Sequence, residues 1–239
     1  MNKAVDYYPG QTTLAIATCL KASGVDEVVL YINRCTRADI DALLAAGLGV
    51  HFVFETNPTY DSYFSAAQGH IDAMYAVSAA NDLGLPTNTV VYLTVDENID
   101  PRKTVPYFNA ADTVFAGSRI LGGVYGFQSM IDFARSQFGN FGKHLWQTYG
   151  HPNGDLDLWQ NLQEPLCGIE VDVNDCYVHG LEPIVDRATY AAEIESFVKE
   201  TIKVMVEQDG ETRNAIAAAA GSPASASDVI AAIVKKLSA

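Results

Sequence analysis

The stretch Val90-Val91-Tyr92-Leu93-Thr94-Val95-Asp96 decides the fold of this chain. As a strand it places Val91, Leu93 and Val95 on one face and Tyr92, Thr94 and Asp96 on the other, because successive side chains alternate across a sheet. Three more stretches repeat the pattern. In Lys3–Asp6, Val5 opposes Asp6. In Gly49–Glu55, Val50, Phe52 and Phe54 oppose His51, Val53 and Glu55. In Gly168–Asn174, Ile169, Val171 and Val173 oppose Glu170, Asp172 and Asn174. With helices over the apolar faces, the carboxylates at the strand ends converge on one place. In a parallel barrel the C-terminal end of the strands is where sites are built.

Working outward, strands alternate with helices through the first half. Strands fall near 3–7, Val28–Asn33, Gly49–Glu55, Thr89–Asp96 and Gly123–Tyr125, and helices near 11–22, 37–46, 60–83, 103–116 and 128–138. Thr36, with Asp39 three residues on, is a helix N-cap signal. Three more strands follow, Leu145–Tyr149, Leu158–Asn161 and Glu170–Asp175, separated by gaps 150–157 and 162–169 that are too short for crossover helices. The fold class is α/β: a TIM-like barrel of about five strand–helix units, then three strands lacking full helices, plus a C-terminal helical extension. The expected domains are a barrel over 1–185, a helical extension over 186–220, a small-residue linker over 221–227 and a terminal helix over 228–239. That last helix carries Val229, Ile230, Ile233, Val234 and Leu237 on one stripe. It packs on the barrel or serves oligomerisation or attachment to a larger assembly.

Composition narrows the function. The 239 residues carry a formal net charge of −14. No basic stripe exists to neutralise phosphates, which argues against nucleic acid, and charge alone does not draw the chain to anionic membranes. Cys19, Cys35, Cys167 and Cys176 form no C-x-x-C pair, so zinc is not expected. They read as buried free thiols, with a Cys167–Cys176 bridge as the alternative. Asp96-Glu97-Asn98 lacks calcium-loop spacing. No nucleophile elbow and no phosphate-cradling glycine loop is present, and no metal or other cofactor is expected. The N-terminus runs straight into a strand without a secretory apolar region. No apolar stretch is long enough to span a bilayer.

Ala4-Val5-Asp6-Tyr7-Tyr8, Val91–Asp96, Gly123-Val124-Tyr125-Gly126, Leu158-Trp159-Gln160 and Val171-Asp172-Val173-Asn174 together resemble the glycoside-hydrolase-like domain family of bacteria and phages. That family is related in fold to the family 25 lysozymes, and the resemblance covers roughly residues 3–184. It implies a barrel of five strand–helix units and three further strands, and muramidase-like hydrolysis of cell-wall polysaccharide. The lysozyme pattern has an acid on strand one, matched by Asp6, and an acid near the end of the last strand, matched by Asp172. Its Asp-x-Glu pair ending strand four corresponds to Thr94-Val95-Asp96. Asp96 keeps the acid and Thr94 replaces the second carboxylate.

Glycoside hydrolysis needs one protonated carboxyl and a second carboxylate nearby, and clustered negative charge splits their pKa values. The expected catalytic set is Asp96 as general acid, Asp6 or Asp172 as its partner, and Glu55 to orient substrate or water. Tyr31, Tyr92 and Tyr125 share the inward parity and either stack on sugars or fill the barrel. Trp146-Gln147 and Trp159-Gln160 form a short repeat. A polar interior would put Gln147 and Gln160 in the site, and the reverse assignment the tryptophans. Asn33, Arg34 and Glu97 sit at strand ends, within reach of sugar hydroxyls. His51 lies deeper and reads as a hydrogen-bonded core histidine.

Three readings remain: a wall-glycan hydrolase, a non-catalytic wall-glycan-binding barrel, and a phage tail or virion component attached through its C-terminal helices. The missing signal peptide fits a phage protein delivered to the wall by lysis or injection. It fits a cytoplasmic protein equally.

Overall fold

A computed structural model describes residues 2–8, 10–56 and 60–181. The chain divides into two units, Met1–Pro183 and Ile184–Ala239. The expected extension, linker and terminal helix lie outside the described residues.

The first unit runs β1 (Asn2–Asp6), α1 (Leu14–Ala22), β2 (Glu27–Tyr31), α2 (Arg37–Ala45), β3 (Gly49–Phe54), α3 (Ala66–Asp82), β4 (Val90–Val95), α4 (Val105–Ala116), β5 (Leu121–Phe127), α5 (Gln128–Gln137), β6 (Leu145–Thr148), β7 (Leu158–Leu166) and β8 (Ile169–Cys176). The strands close a barrel in sequence order. This is the expected architecture of five strand–helix units and three further strands. β1 to β7 pair in parallel, whereas β8 runs antiparallel to both β7 and β1.

Local chemistry sets the helix starts. The Thr13 hydroxyl accepts from the Ile16 amide, and Thr36 and Asp39 form the full capping box. The helix expected over 60–83 is a short 3-10 turn, Asp61–Tyr63, and then α3, because Ser65 caps a new start by accepting from the Gln68 amide. β2 ends at Tyr31 rather than Asn33. The Arg34 and Cys35 amides both donate to the Tyr31 carbonyl, so the chain turns there.

Two packed regions hold the barrel. Outside the sheet, Val5, Val28, Phe52, Leu93 and Val171 meet helix residues such as Leu20, Ile40, Ala76 and Phe108. Inside, one layer takes a single residue from each strand: Ala4, Val29, Val53, Tyr92, Tyr125, Trp146, Leu158 and Cys176. Large aromatics on β4, β5 and β6 face small residues on the other side. Gly123 makes room for this, because a Cβ there would lie 2.6 Å from the Tyr92 ring.

The gap expected at 162–169 is mostly strand. A bulge between Gln160 and Leu162 breaks the alternation, and β7 then continues to Leu166. Cys167 and Gly168 turn the hairpin with φ of 55° and 80°. Two consecutive positive φ values give the turn that matches strand twist.

The cysteines differ from both expectations. Cys19 on α1 bonds to Cys167 at the hairpin tip, and Cys35 and Cys176 are the free thiols. Cys176 is buried with its Sγ 3.4 Å from His51 Nε2. The bridge closes a span of 148 residues, and constraint of the unfolded chain by such a loop is worth about 2–4 kcal/mol. Cys19→Ser, or reduction of the wild type, is expected to lower the unfolding free energy by that amount and with it the urea midpoint, whereas Cys35→Ser keeps the bridge and the wild-type midpoint. Equal midpoints for oxidised and reduced protein would refute this.

Candidate active site

Two residues along from the filled layer, the inward positions turn polar on every strand but β5, which has Phe127 there. Asp6 lies above Ala4, Tyr31 above Val29, Glu55 above Val53, Thr148 above Trp146 and Gln160 above Leu158. Asp96 and Asp172 stand one step higher. These side chains line a pocket of about 210 Å³ at the C-terminal mouth of the parallel strands, whereas Thr94 and Asn174, which share the polar layer, do not line it. The barrel thus brings together the four carboxylates Asp6, Glu55, Asp96 and Asp172, with Tyr31, Tyr125 and Gln160.

Asp6 is the most constrained of them, at 3% exposure. Asp6 and Asp172 are direct cross-strand partners, a juxtaposition that disfavours two charges. Burial, then the Asp172 and Glu55 charges, push the Asp6 carboxyl up to about 8, against the lowering effect of a hydrogen bond from Asn174. That bond is 2.8 Å from Asn174 Nδ2 to Asp6 Oδ2. Asn174 Oδ1 in turn accepts from Trp146 Nε1 at 2.7 Å. An indole nitrogen only donates, so the amide orientation is fixed and Asn174 must donate to Asp6.

The other acids differ by environment. Glu55 and Asp172 are half-buried, and burial raises both, with Asp96 adding to each rise. Gln163 Nε2 donates to Asp172 at 3.0 Å, which the β7 bulge permits by returning Gln163 to the inward side. Asp96 follows the end of β4 and is exposed; partial burial and then the Glu97 charge raise it. Tyr125 donates to Gln160 at 2.6 Å.

Several expected residues lie elsewhere. Tyr92 is buried below the site and donates to Asp157 at 2.7 Å. Gln147 faces outward and donates to the Tyr149 and His151 carbonyls. It is Trp146 that points inward, so the two Trp-Gln pairs have opposite parity. Asn33 donates to the Glu55 carbonyl, and Arg34 sits 5.7 Å from the Tyr31 ring centre. Both brace the rim without lining the pocket. Glu97 is exposed and outside it. Thr94 is buried and donates to the Phe54 carbonyl, so no second acid stands on β4.

Four lining residues were not anticipated, Val53, Thr148, Tyr149 and Gln163, and Trp146 enters as the inward member of its pair, the alternative left open for it. Tyr149 stacks on Phe127 with ring centres 5.5 Å apart and planes 11° apart, making an exposed aromatic rim. A larger cavity, about 340 Å³, opens at the opposite end of the barrel beside Tyr92, His144 and Asp157. It contains none of the four acids. His51 borders it, and burial lowers that imidazole to about 4, so it is neutral at pH 7 and its 3.6 Å approach to Glu27 is not an ion pair. Among the described residues, no three His, Cys, Asp or Glu side chains are arranged to hold a metal ion.

The Asp6 shift has a stability consequence. The folded chain keeps this proton up to about pH 8 and the unfolded chain loses it near 3.8. The folded state therefore binds more protons between those values, and stability falls as pH rises across the window. Asp6→Asn is expected to flatten that part of the urea-midpoint profile from pH 4 to 8, relative to wild type; parallel profiles for the two proteins would show that Asp6 titrates normally.

The Rv2525c-like, glycoside hydrolase-like domain is matched over residues 18–176. The uncharacterized protein FadG of Bacillus subtilis is 31% identical over 131 residues, covering 48% of this chain. The chain spans 23% and 11% of the lengths of the two curated relatives it matches, FadG and YbfG. Among solved structures, the Tat-secreted protein Rv2525c of Mycobacterium tuberculosis superposes with a TM-score of 0.61 at 22% identity, over 74% of this chain and 96% of that one. GHIP, a glycosyl hydrolase 25 of Streptococcus pneumoniae, gives 0.51 at 12% identity, over 74% and 87%. The modular autolysin LytC of the same species, in complex with a synthetic peptidoglycan ligand, gives 0.50 at 14%, over 74% and 46%. These three likenesses concern the fold, while the domain match covers about two-thirds of the sequence: the chain belongs to the Rv2525c-like, glycoside hydrolase-like domain family, on a barrel related to that of the family 25 hydrolases.

Proposed function

We propose that this protein is a glycoside hydrolase acting on bacterial cell-wall glycan. The observation that carries the reading is the Asp6–Asp172 pair: two carboxyls on adjacent strands in one pocket, with one holding its proton at neutral pH. That is the split a glycosidase needs. The family and the fold shared with GHIP and with peptidoglycan-bound LytC support the substrate class.

In this reading Asp6 takes the proton-donor role expected for Asp96, because Asp96 is the most solvated of the four. Asp6 gives its proton to the glycosidic oxygen as the bond to the anomeric carbon breaks. Ionised Asp172 faces the developing positive charge and takes the proton of the water that completes hydrolysis. Asn174 holds Asp6 in place. Glu55 and Asp96 orient substrate and water from the other side, and the Tyr149–Phe127 stack offers a face for a sugar ring.

The Cys19–Cys167 bridge supports work in an oxidising compartment, as does the Tat-secreted relative. Export to the wall is therefore part of the proposal. Among the described residues no helix is long and apolar enough to cross a membrane. Phage delivery and virion assembly draw no support from the barrel or from these relatives and form no part of it. A second reading, a wall-glycan-binding barrel without hydrolysis, is favoured by Thr94, which leaves β4 with Asp96 alone at its end.

Reducing-end release from purified peptidoglycans separates the two. Wild type is expected to release reducing ends, with kcat lowered about 10²-fold or more in Asp6→Asn and an alkaline limb near pH 8 in the wild type. Saturable wall binding without release would establish the binding barrel. Full activity in Asp6→Asn would return the donor role to Asp96.

A further inference from the structure

The walls of the site carry charge of one sign only. Twelve residues line the pocket, four of them carboxylic acids and none Lys, Arg or His. The adjoining groove of about 350 Å³, which runs from Tyr149 past Trp159 to Asp172, also has no basic residue in its walls. Arg34 lies over the Tyr31 ring outside the lining, and its charge lowers Glu55 against the rise that burial and Asp96 cause.

Wall glycans differ in what they present to such a site. A muramic acid carries a lactyl carboxylate, which needs a cation or a set of N–H donors. An N-acetylated amino sugar is neutral. A de-N-acetylated amino sugar carries an ammonium with three donors. The pocket offers the first no cation, only hydroxyl and amide donors such as Tyr31, Thr148 and Gln163, and it offers the third several carboxylates, which when ionised only accept.

A second observation points the same way. Asp6 is buried at the floor and accepts from Asn174 through Oδ2. Its other oxygen receives no hydrogen bond from any described residue, and the residue lines the pocket, so an ammonium bound beside it would draw off the proton that burial holds there. The walls beside it are the aromatic residues Tyr31, Tyr125, Trp146 and Tyr149, whose ring faces attract cations. The Tyr31 hydroxyl is itself raised, by burial first and then by all four acids.

We infer that the site selects glycan bearing free, protonated amines, a glucosamine-type polymer or a de-N-acetylated stretch of wall, over fully acetylated glycan. The inference rests on the hydrolase or binding-barrel reading above and adds the chemical form of the sugar. Asp96 and Asp172 are the groups placed to hold the ammonium, at the mouth and on β8.

Calorimetric titration of the full chain with β-1,4-linked tetramers of glucosamine and of N-acetylglucosamine tests it, run beside reducing-end release from native and chemically de-N-acetylated peptidoglycan. The glucosamine tetramer is expected to bind at least about tenfold tighter at low salt, with the preference shrinking at high salt. Asp96→Asn and Asp172→Asn should each weaken the glucosamine tetramer more than the acetylated one and so narrow the preference, with an unchanged urea midpoint showing that the variants are folded. Equal affinities, or tighter binding of the acetylated tetramer, would overturn the inference while wall release leaves the hydrolase reading standing. Binding of neither tetramer overturns the inference too, and absence of both wall release and wall binding then removes the underlying reading with it.

Discussion

An indole N–H buried inside a closed barrel must find an acceptor, and much of this protein follows from where Trp146 finds one. Leaving that donor unpaired would cost about 1–3 kcal/mol. Asn174 accepts it and so has only donors left to offer, which it directs at Asp6. The barrel filling and the carboxyl at the bottom of the site are therefore one hydrogen-bonded unit, built from β6, β8 and β1. Replacing the tryptophan would disturb the proton on Asp6 without touching it.

The location of the pocket has a packing cause. The layer that plugs the barrel puts Tyr92, Tyr125 and Trp146 on three consecutive strands and Ala4 and Cys176 across from them. The polar layer above is then staggered in the opposite sense. Small Thr94 and Thr148 sit over Tyr92 and Trp146, while Asp6, Tyr31 and Glu55 rise above Ala4, Val29 and Val53. Alternating size between layers keeps the interior dense and leaves a polar opening at the carboxylate end.

The strand count and the faces of Asp6, Glu55, Asp96 and Asp172 were legible in the sequence, because strict alternation beside helix caps has few other meanings. The same reasoning could not orient the two Trp-Gln pairs. Trp146 pairs with Leu158 rather than Trp159, and a one-residue offset between strands reverses every side chain. The bulge after Gln160 hid the length of β7 and the role of Gln163, since it interrupts the only pattern that marks a strand. Tyr92 has the right parity but the wrong depth, and alternation says nothing of depth. The Cys19–Cys167 bond depends on a proximity of 148 residues in sequence that no local pattern encodes. Thr94 was visible as a departure, and its buried bond to Phe54 explains how the strand tolerates it.

The Cys19–Cys167 bond has a topological meaning. A closed barrel is completed only when its first and last strands meet, the contact of greatest sequence separation and the one whose chain entropy is hardest to recover. Here the sulfurs join the helix that follows the first strand to the turn that precedes the last. The oxidised chain is a ring with its seam already near register, so the strands bearing Asp6 and Asp172 stay neighbours even when the polypeptide between them has come apart.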